Sequence, residues 1–177
     1  MKRRKLLTAR LLAALVLLAT ALLRCAPFLP AFGRAFLLIP AVVCLAMFEG
    51  PVPSLLFALI SGAAWDAVSV GRDGIYTLLC GVLAVAACLF VRFRLRRKLT
   101  AALLLNAAAL VLTLAVYCFA ADGGGGDIIL TALYIGVPAA LVALAFSAVY
   151  YLLYKKIYAP ADAPADLRFI RKVPVKK

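Results

Sequence analysis

Long apolar runs constrain this chain more than any other feature of its sequence. Inside a bilayer every backbone amide and carbonyl needs a partner within the protein, and a helix supplies one for nearly all of them. We therefore predict an all-α polytopic membrane protein with six transmembrane helices in one domain, residues 1–158. A basic cytoplasmic tail, residues 159–177, follows and is expected to be disordered. The predicted spans are about 6–23, 35–48, 54–70, 75–91, 99–121 and 128–154.

The composition excludes soluble enzymes and leaves little material for catalysis. Hydrophobic residues make up 67% of the chain, and histidine is absent from the sequence. Without histidine the common catalytic triad and most zinc and haem sites cannot form. The five cysteines show no Cys-x-x-Cys spacing and lie mostly in apolar runs, which is typical of small buried hydrophobes. We predict no enzymatic activity, no metal and no cofactor.

The distribution of positive charge predicts the orientation in the membrane. With six spans, 17 of the 20 lysines and arginines lie on one side: at the amino terminus, in the loop 92–98 and in the segment after Tyr154. Five spans would leave the loop 92–98 outside while the amino-terminal cluster stays inside, against the positive-inside rule. We therefore expect six spans with both termini cytoplasmic. Its basic flanks would meet anionic lipids rather than nucleic acid. The loop's basic cluster consists of Arg92, Arg94, Arg96, Arg97 and Lys98.

Asp66 is the principal charged residue inside a predicted span. Burying a charge in a bilayer is costly, so a retained carboxylate needs a reason. Steps of four residues back along the helix reach three small residues, Gly62, Ala58 and Ser54. Such a stripe lets a neighbouring helix approach closely. We predict a packing seam with Asp66 as a polar lock at its outer end. A salt bridge from Asp66 to Arg72 at the interface is a compatible alternative.

A glycine-flanked turn follows this span. The turn comprises Gly71, Arg72, Asp73 and Gly74, and it is short enough to predict an antiparallel hairpin of the third and fourth helices. Asp73 is a candidate cap for the fourth helix.

Three further polar residues have candidate structural roles. Asn106 and Thr113 share a face of the fifth span, which favours hydrogen bonds between helices over substrate contact. Glu49 is expected at the cytoplasmic interface, where Arg97 and Lys98 are equally good partners.

Aromatic residues near the predicted ends of spans are typical of interfacial anchors. Trp65, the single tryptophan, is expected at the outer interface. Four tyrosines at the end of the sixth span fit a belt at the cytoplasmic interface: Tyr150, Tyr151, Tyr154 and Tyr158.

The pattern as a whole resembles the rod shape-determining protein MreD family. The resemblance is carried by the small size with six spans, by Pro40 near the start of the second, and by residues 61–74. That segment is similar to the family's Gly-x-x-x-Asp followed by a glycine-flanked turn and the fourth helix. Residues 36–120 carry the resemblance, and the remainder agrees by hydropathy alone. The run 122–127, with its four glycines, and the long basic tail depart from the family pattern.

Membership would imply a non-enzymatic subunit of the cell-elongation (rod) complex in the bacterial plasma membrane, which maintains cell shape by organising peptidoglycan synthesis. The implied partners are MreC and, through it, the MreB filament, the elongation polymerase and the penicillin-binding transpeptidase. The implied fold is similar to that of the substrate-binding subunits of energy-coupling-factor transporters. We expect the loop's basic cluster to meet anionic lipid or a cytoplasmic partner. The helix-packing or partner-binding residues are expected to be Ser54, Ala58, Gly62, Asp66, Gly71 and Gly74.

The main alternative is a substrate-binding membrane subunit of an energy-coupling-factor vitamin transporter. Small residues spaced by four on the first span mediate docking in that family, and Ala9 with Ala13 matches. The outer half offers few polar contacts for a solute, which favours the scaffold. Intramembrane aspartyl proteases need two neighbouring carboxylates, and only Asp66 is suitably placed.

Overall fold

The computed structural model describes residues 2–25, 36–68, 74–93, 98–121, 134 and 136–159. These residues form helices, and no strand occurs among them. The helices are α1 (Lys2–Cys25), α2 (Leu38–Phe48), α3 (Pro51–Val68), α4 (Ile75–Phe93), α5 (Leu99–Ala121) and α6 (Val137–Tyr158).

Four helices are apolar and long enough to cross a bilayer: Arg4–Leu23, Ile75–Phe93, Leu99–Val116 and Val137–Tyr158. The two shorter apolar helices are Leu38–Phe48 and Pro51–Ala67. These helices confirm the prediction of an all-α membrane protein. The first part of the predicted last span, 128–133, and nearly all of the predicted tail lie outside the described residues.

The short helix α2 occupies the centre of the bundle. All eleven of its residues are buried, and it packs against each of the other five helices. Its sequence is apolar all the way round, which is the pattern of a helix enclosed by protein. Pro40 lies in its first turn, where a missing amide hydrogen costs no helical bond.

Contacts between helices show which ends lie together. Glu49, just after α2, meets Arg10 near the start of α1 and Tyr158 at the end of α6. Cys88, near the end of α4, donates its thiol to the carbonyl oxygen of Glu49. We call this the basic end of the bundle. The opposite end holds Trp65 of α3 stacked on Tyr76 of α4.

Candidate functional site

Asp66 caps the helix that follows its own. Its Oδ1 accepts the backbone N–H of Tyr76 at 3.1 Å, and its Oδ2 accepts the backbone N–H of Thr77 at 2.8 Å and the Thr77 hydroxyl. The first amides of a helix have no partner inside it, and its positive dipole end favours a carboxylate. Asp66 therefore supplies from α3 the cap that α4 needs. The alternative partner Arg72 and the candidate cap Asp73 lie outside the described residues.

Gly62 lies one turn before Asp66 and touches the same turn of α4. A Cβ atom at this position would lie 2.5 Å from the Thr77 Cα, 2.9 Å from the Thr77 N and 2.8 Å from the Tyr76 O. These are backbone atoms, so no side-chain rotation can make room for a methyl group. The absence of a side chain at Gly62 brings the backbones close enough for the Asp66 carboxylate to reach the α4 amides.

Trp65 completes this cluster from inside the bundle. Its ring stacks on Tyr76 with centroids 4.4 Å apart and planes 4° from parallel, and the Phe36 ring makes a T-shaped contact with it at a centroid distance of 6.3 Å. Only 2% of Trp65 is exposed. The prediction of an interfacial anchor is therefore wrong for Trp65, because its ring is used for packing between α3 and α4. We call Gly62, Trp65, Asp66, Tyr76 and Thr77 the hairpin lock.

The other residues predicted for the packing seam do not belong to the hairpin lock. Ser54 and Ala58 are buried, and the Ser54 hydroxyl donates to the Gly50 carbonyl at 2.7 Å, so Ser54 belongs to the first turn of α3. Gly74 has φ of +88°, with open space around its Cα, so its role is conformational. Gly71 lies outside the described residues.

A second cluster, at the basic end, is built around Glu49. Its side chain is 1% exposed and accepts the Arg10 Nε at 3.0 Å, the Arg10 Nη2 at 3.2 Å and the Tyr158 hydroxyl at 2.9 Å. The backbone N–H of Gly50 donates to Oε2 at 3.3 Å. The ion pair that the structure describes for Glu49 is with Arg10 and not with the expected Lys98, and the Glu49 side chain is buried; the other expected partner, Arg97, lies outside the described residues.

The sequence contains a signal for this pair of opposite charges. Arg10 is the one basic residue within the apolar run of α1, and Glu49 is the first acidic residue in the chain. An isolated charge in each of two apolar segments is expensive unless the two meet. Opposite charges of this kind are therefore the first candidates for a buried pair.

The tyrosines of α6 face the interior and do not form an interfacial belt. Each is at most 7% exposed. The Tyr150 hydroxyl is 3.1 Å from the Thr20 hydroxyl of α1, and Phe48 packs against the rings of Tyr151 and Tyr158. The predicted belt is wrong because these rings bind α6 to α1 and α2.

Asn106 and Thr113 of α5 are both fully buried. The Asn106 Nδ2 donates to the Ala102 carbonyl at 2.8 Å and to the Cys44 Sγ of α2 at 3.3 Å. The Thr113 hydroxyl donates to the Ala109 carbonyl of its own helix at 2.7 Å. Asn106 therefore makes the predicted hydrogen bond between helices, whereas the hydrogen bond that Thr113 makes stays within α5.

The predicted basic cluster is described only at its edges. Arg92 and Lys98 are exposed at the basic end, whereas Arg94, Arg96 and Arg97 lie outside the described residues. Within the described ranges, no three histidine, cysteine or acidic side chains come together as metal ligands. Searches for related proteins found no matching family model, no similar curated protein and no similar solved structure.

Proposed function

We propose that this protein is a non-enzymatic membrane subunit of the bacterial cell-elongation complex, of the MreD type. The hairpin lock is the observation that carries the proposal. The segment 61–74, on which the resemblance to MreD depends, contains Gly62 and Asp66, and these residues make a contact that tolerates no larger residue at Gly62. In such a subunit this contact would fix α3 against α4 and so preserve the surface presented to partners.

The use of the buried polar groups also supports a scaffold. Asp66 is engaged by α4 amides, and Glu49 is engaged by Arg10 and Tyr158. Each carboxylate pairs with groups of other helices and so holds the helices together, which suits a protein that must keep a fixed shape. A membrane acid–base catalyst would instead direct such a group toward substrate.

We propose six spans with both termini in the cytoplasm of a bacterium. The described lysines and arginines that are exposed lie at the basic end, where α1 begins, α4 ends, α5 begins and α6 ends, as the positive-inside rule favours for the cytoplasmic side. This end would also contact anionic lipids. Those residues are Arg4, Lys5, Arg92, Lys98, Lys155 and Lys156.

The proposed partners are MreC and, through it, the MreB filament, the elongation polymerase and the penicillin-binding transpeptidase. The direct test is affinity purification of the tagged protein from gently solubilised native membranes, followed by mass spectrometry. Recovery of an MreC-like protein with wall synthases would support the proposal. Recovery of a pair of transporter ATPases would instead establish the vitamin-transporter alternative.

A matched pair of variants links the partners to the hairpin lock. Gly62→Leu forces a side chain into the α4 backbone, whereas Ala63→Leu places the same side chain at the neighbouring exposed position. We expect Gly62→Leu to lose the partners or fail to accumulate, and Ala63→Leu to retain them. Full complementation of an MreD-depleted strain by Gly62→Leu at normal membrane levels would contradict the role of the lock.

The orientation has its own test. In intact cells a membrane-impermeant maleimide should label Ile75→Cys, which is exposed at the opposite end, and should label Lys98→Cys only after the membrane is permeabilised. The unsubstituted protein, measured in parallel, gives the contribution of the native cysteines. Labelling of Lys98→Cys in intact cells would invert the proposed topology.

A further inference from the structure

A groove of about 240 Å³ runs along the outer surface of the bundle between α1 and α3. The small residues in its lining are Ala14 and Ala21 of α1 and Ser61 and Ala64 of α3. Among the described residues that line it, Ser61 alone is polar. The lining also includes Leu18 and Ile60, whose side chains are mostly exposed, so the groove is open to the surroundings of the bundle. We call this feature the α1–α3 groove. Its apolar lining suits a hydrocarbon chain and offers little to a polar solute.

Arg10 lies beside the end of the α1–α3 groove that is nearer the basic end. It precedes Ala14 by four residues, so the two share a face of α1 with Cβ atoms about 5–6 Å apart. Arg10 is near the start of α1, and its ion-pair partner Glu49 lies just before the start of α3, so both helices run away from the basic end. The groove therefore leads from Arg10 toward the opposite end of the bundle.

Part of the Arg10 guanidinium is available to a ligand. A guanidinium carries five N–H groups, and the Nε and Nη2 of Arg10 bind Glu49. Its Nη1 has no hydrogen-bond partner among the described residues, and 39% of the side chain is exposed. Arg10 lies six residues inside the apolar span Arg4–Leu23. Acyl chains supply no acceptor at this depth, so the remaining N–H groups need oxygen atoms from a lipid headgroup or from water.

We propose that an anionic glycerophospholipid binds along α1 and α3, with its phosphate on the Arg10 guanidinium and one acyl chain in the α1–α3 groove. Hydrogen bonds between a guanidinium and a phosphate are charge-assisted and are among the stronger ones that proteins make. Ala21, at the far end of the groove, lies eleven residues beyond Arg10, about 16 Å along the helix axis. One leaflet contributes about half of a hydrocarbon core of about 30 Å, so one acyl chain is long enough to fill the groove.

The charges at the basic end favour a headgroup that carries no ammonium. The described ionic residues that are exposed there are cations, and Glu49, the carboxylate beside Arg10, is 1% exposed and already engaged. The ammonium of a phosphatidylethanolamine would therefore find no free carboxylate among the described residues of this end, and it would lie near like charges. A phosphatidylglycerol offers the same phosphate without the ammonium, and cationic surfaces attract such lipids.

The leaflet of the bound lipid is the cytoplasmic one, and this choice rests on the orientation proposed above. Binding itself does not rest on that orientation, because the groove and Arg10 belong to the chain alone. The tests therefore use the purified full-length protein in detergent, where neither orientation nor partner proteins enter. A negative result there is distinguishable from a failure to recover the proposed partners from native membranes.

The first test compares two lipids on the unsubstituted protein. Native mass spectrometry of the protein, titrated with phosphatidylglycerol or phosphatidylethanolamine of identical acyl chains, gives an affinity for each lipid. We expect phosphatidylglycerol to bind about fivefold more tightly, which is the effect of one favourable contact between a basic side chain and an anionic lipid. Equal affinities would overturn the proposal, and this comparison does not depend on the folding of any variant.

A matched pair of variants tests the groove. Ala64→Leu places a larger side chain in the groove, whereas Ala63→Leu places the same side chain at the neighbouring exposed position, which is outside the lining. We expect Ala64→Leu to weaken phosphatidylglycerol binding by about threefold or more, because the acyl chain loses packing contacts, and Ala63→Leu to leave it unchanged. Equal affinities in the two variants would overturn the proposal. A membrane protein that copurifies with Ala63→Leu but not with Ala64→Leu, at unchanged lipid affinity, would also overturn it, since that protein would then occupy the groove.

A second pair tests the contact with the phosphate. Glu49→Gln and the double variant Arg10→Met/Glu49→Gln both lack the buried carboxylate charge, and only Glu49→Gln keeps the guanidinium. We expect the double variant to bind phosphatidylglycerol about tenfold more weakly than Glu49→Gln, because charge-assisted hydrogen bonds to the phosphate are lost. Equal affinities of these two variants would show that Arg10 does not bind the headgroup and would overturn the proposal.

Discussion

Replacing Arg10 should destabilise the protein far more than replacing its partner Glu49. The Glu49 side chain is 1% exposed, whereas that of Arg10 is 39% exposed. Arg10→Met keeps most of the aliphatic length but removes both guanidinium bonds from a buried carboxylate. Hydrogen bonds to charged groups contribute about 1.5–3 kcal/mol each, and breaking one side of a buried ion pair costs about 3–5 kcal/mol. We therefore expect Arg10→Met to lose at least about 3 kcal/mol of the free energy of unfolding.

The opposite substitution leaves a smaller defect. In Glu49→Gln the amide oxygen can still accept from Tyr158, and the unpaired Arg10 can turn toward lipid headgroups or water because it is partly exposed. We expect a loss of about 1–2 kcal/mol. The double variant should be less damaged than Arg10→Met alone, because it no longer buries an unpaired charge.

The assay is reversible unfolding in mixed detergent micelles, with each variant compared with the parent. A loss below about 1 kcal/mol for Arg10→Met, equal to that of Glu49→Gln, would show that the pair behaves as an exposed surface ion pair and would refute the argument.

Two further predictions concern the hairpin lock. Gly62→Ala should cost about 1–3 kcal/mol, because its methyl group would lie 2.5 Å from the Thr77 Cα and the helices must separate; the same unfolding assay should find Ala63→Leu nearly neutral. Asp66→Asn retains one acceptor but loses the charge at the helix end, so hydrogen exchange of the Tyr76 and Thr77 amides should accelerate by about tenfold. Unchanged exchange at both amides would show that the carboxylate does not cap α4.

The sequence predicted the helices well because apolar runs and their breaks depend on local composition. The predicted span 75–91 corresponds to Ile75–Phe93, and 99–121 corresponds to Leu99–Ala121. The face shared by Gly62 and Asp66 also follows from helical periodicity alone. The contact between Asp66 and the amides of the next helix does not follow from periodicity. It depends on how closely α3 and α4 approach each other.

The predictions that the structure corrects share a physical cause. An aromatic ring with a polar atom suits both a membrane interface and a helix contact within the bundle, so sequence position near the end of an apolar run does not distinguish them. That position predicts an interfacial location for Trp65 and the α6 tyrosines, and all of them are buried. The partner of Glu49 was similarly undetermined, since it is separated from Arg10 by 39 residues and the pairing depends on the arrangement of α1 against α2.

The burial of α2 has a consequence for how the protein is made. Helix α2 is second in chain order, yet much of what covers it comes from α6: Cys44 meets Ser147, and Phe48 meets Tyr151 and Tyr158. At eleven residues it extends about 16 Å, well short of a hydrocarbon core of about 30 Å. In a nascent chain, the part of α2 that α6 covers therefore stays uncovered until α6 is synthesised. A chain truncated before α6 would leave this part of α2 exposed to lipid and to the quality-control proteases of the membrane.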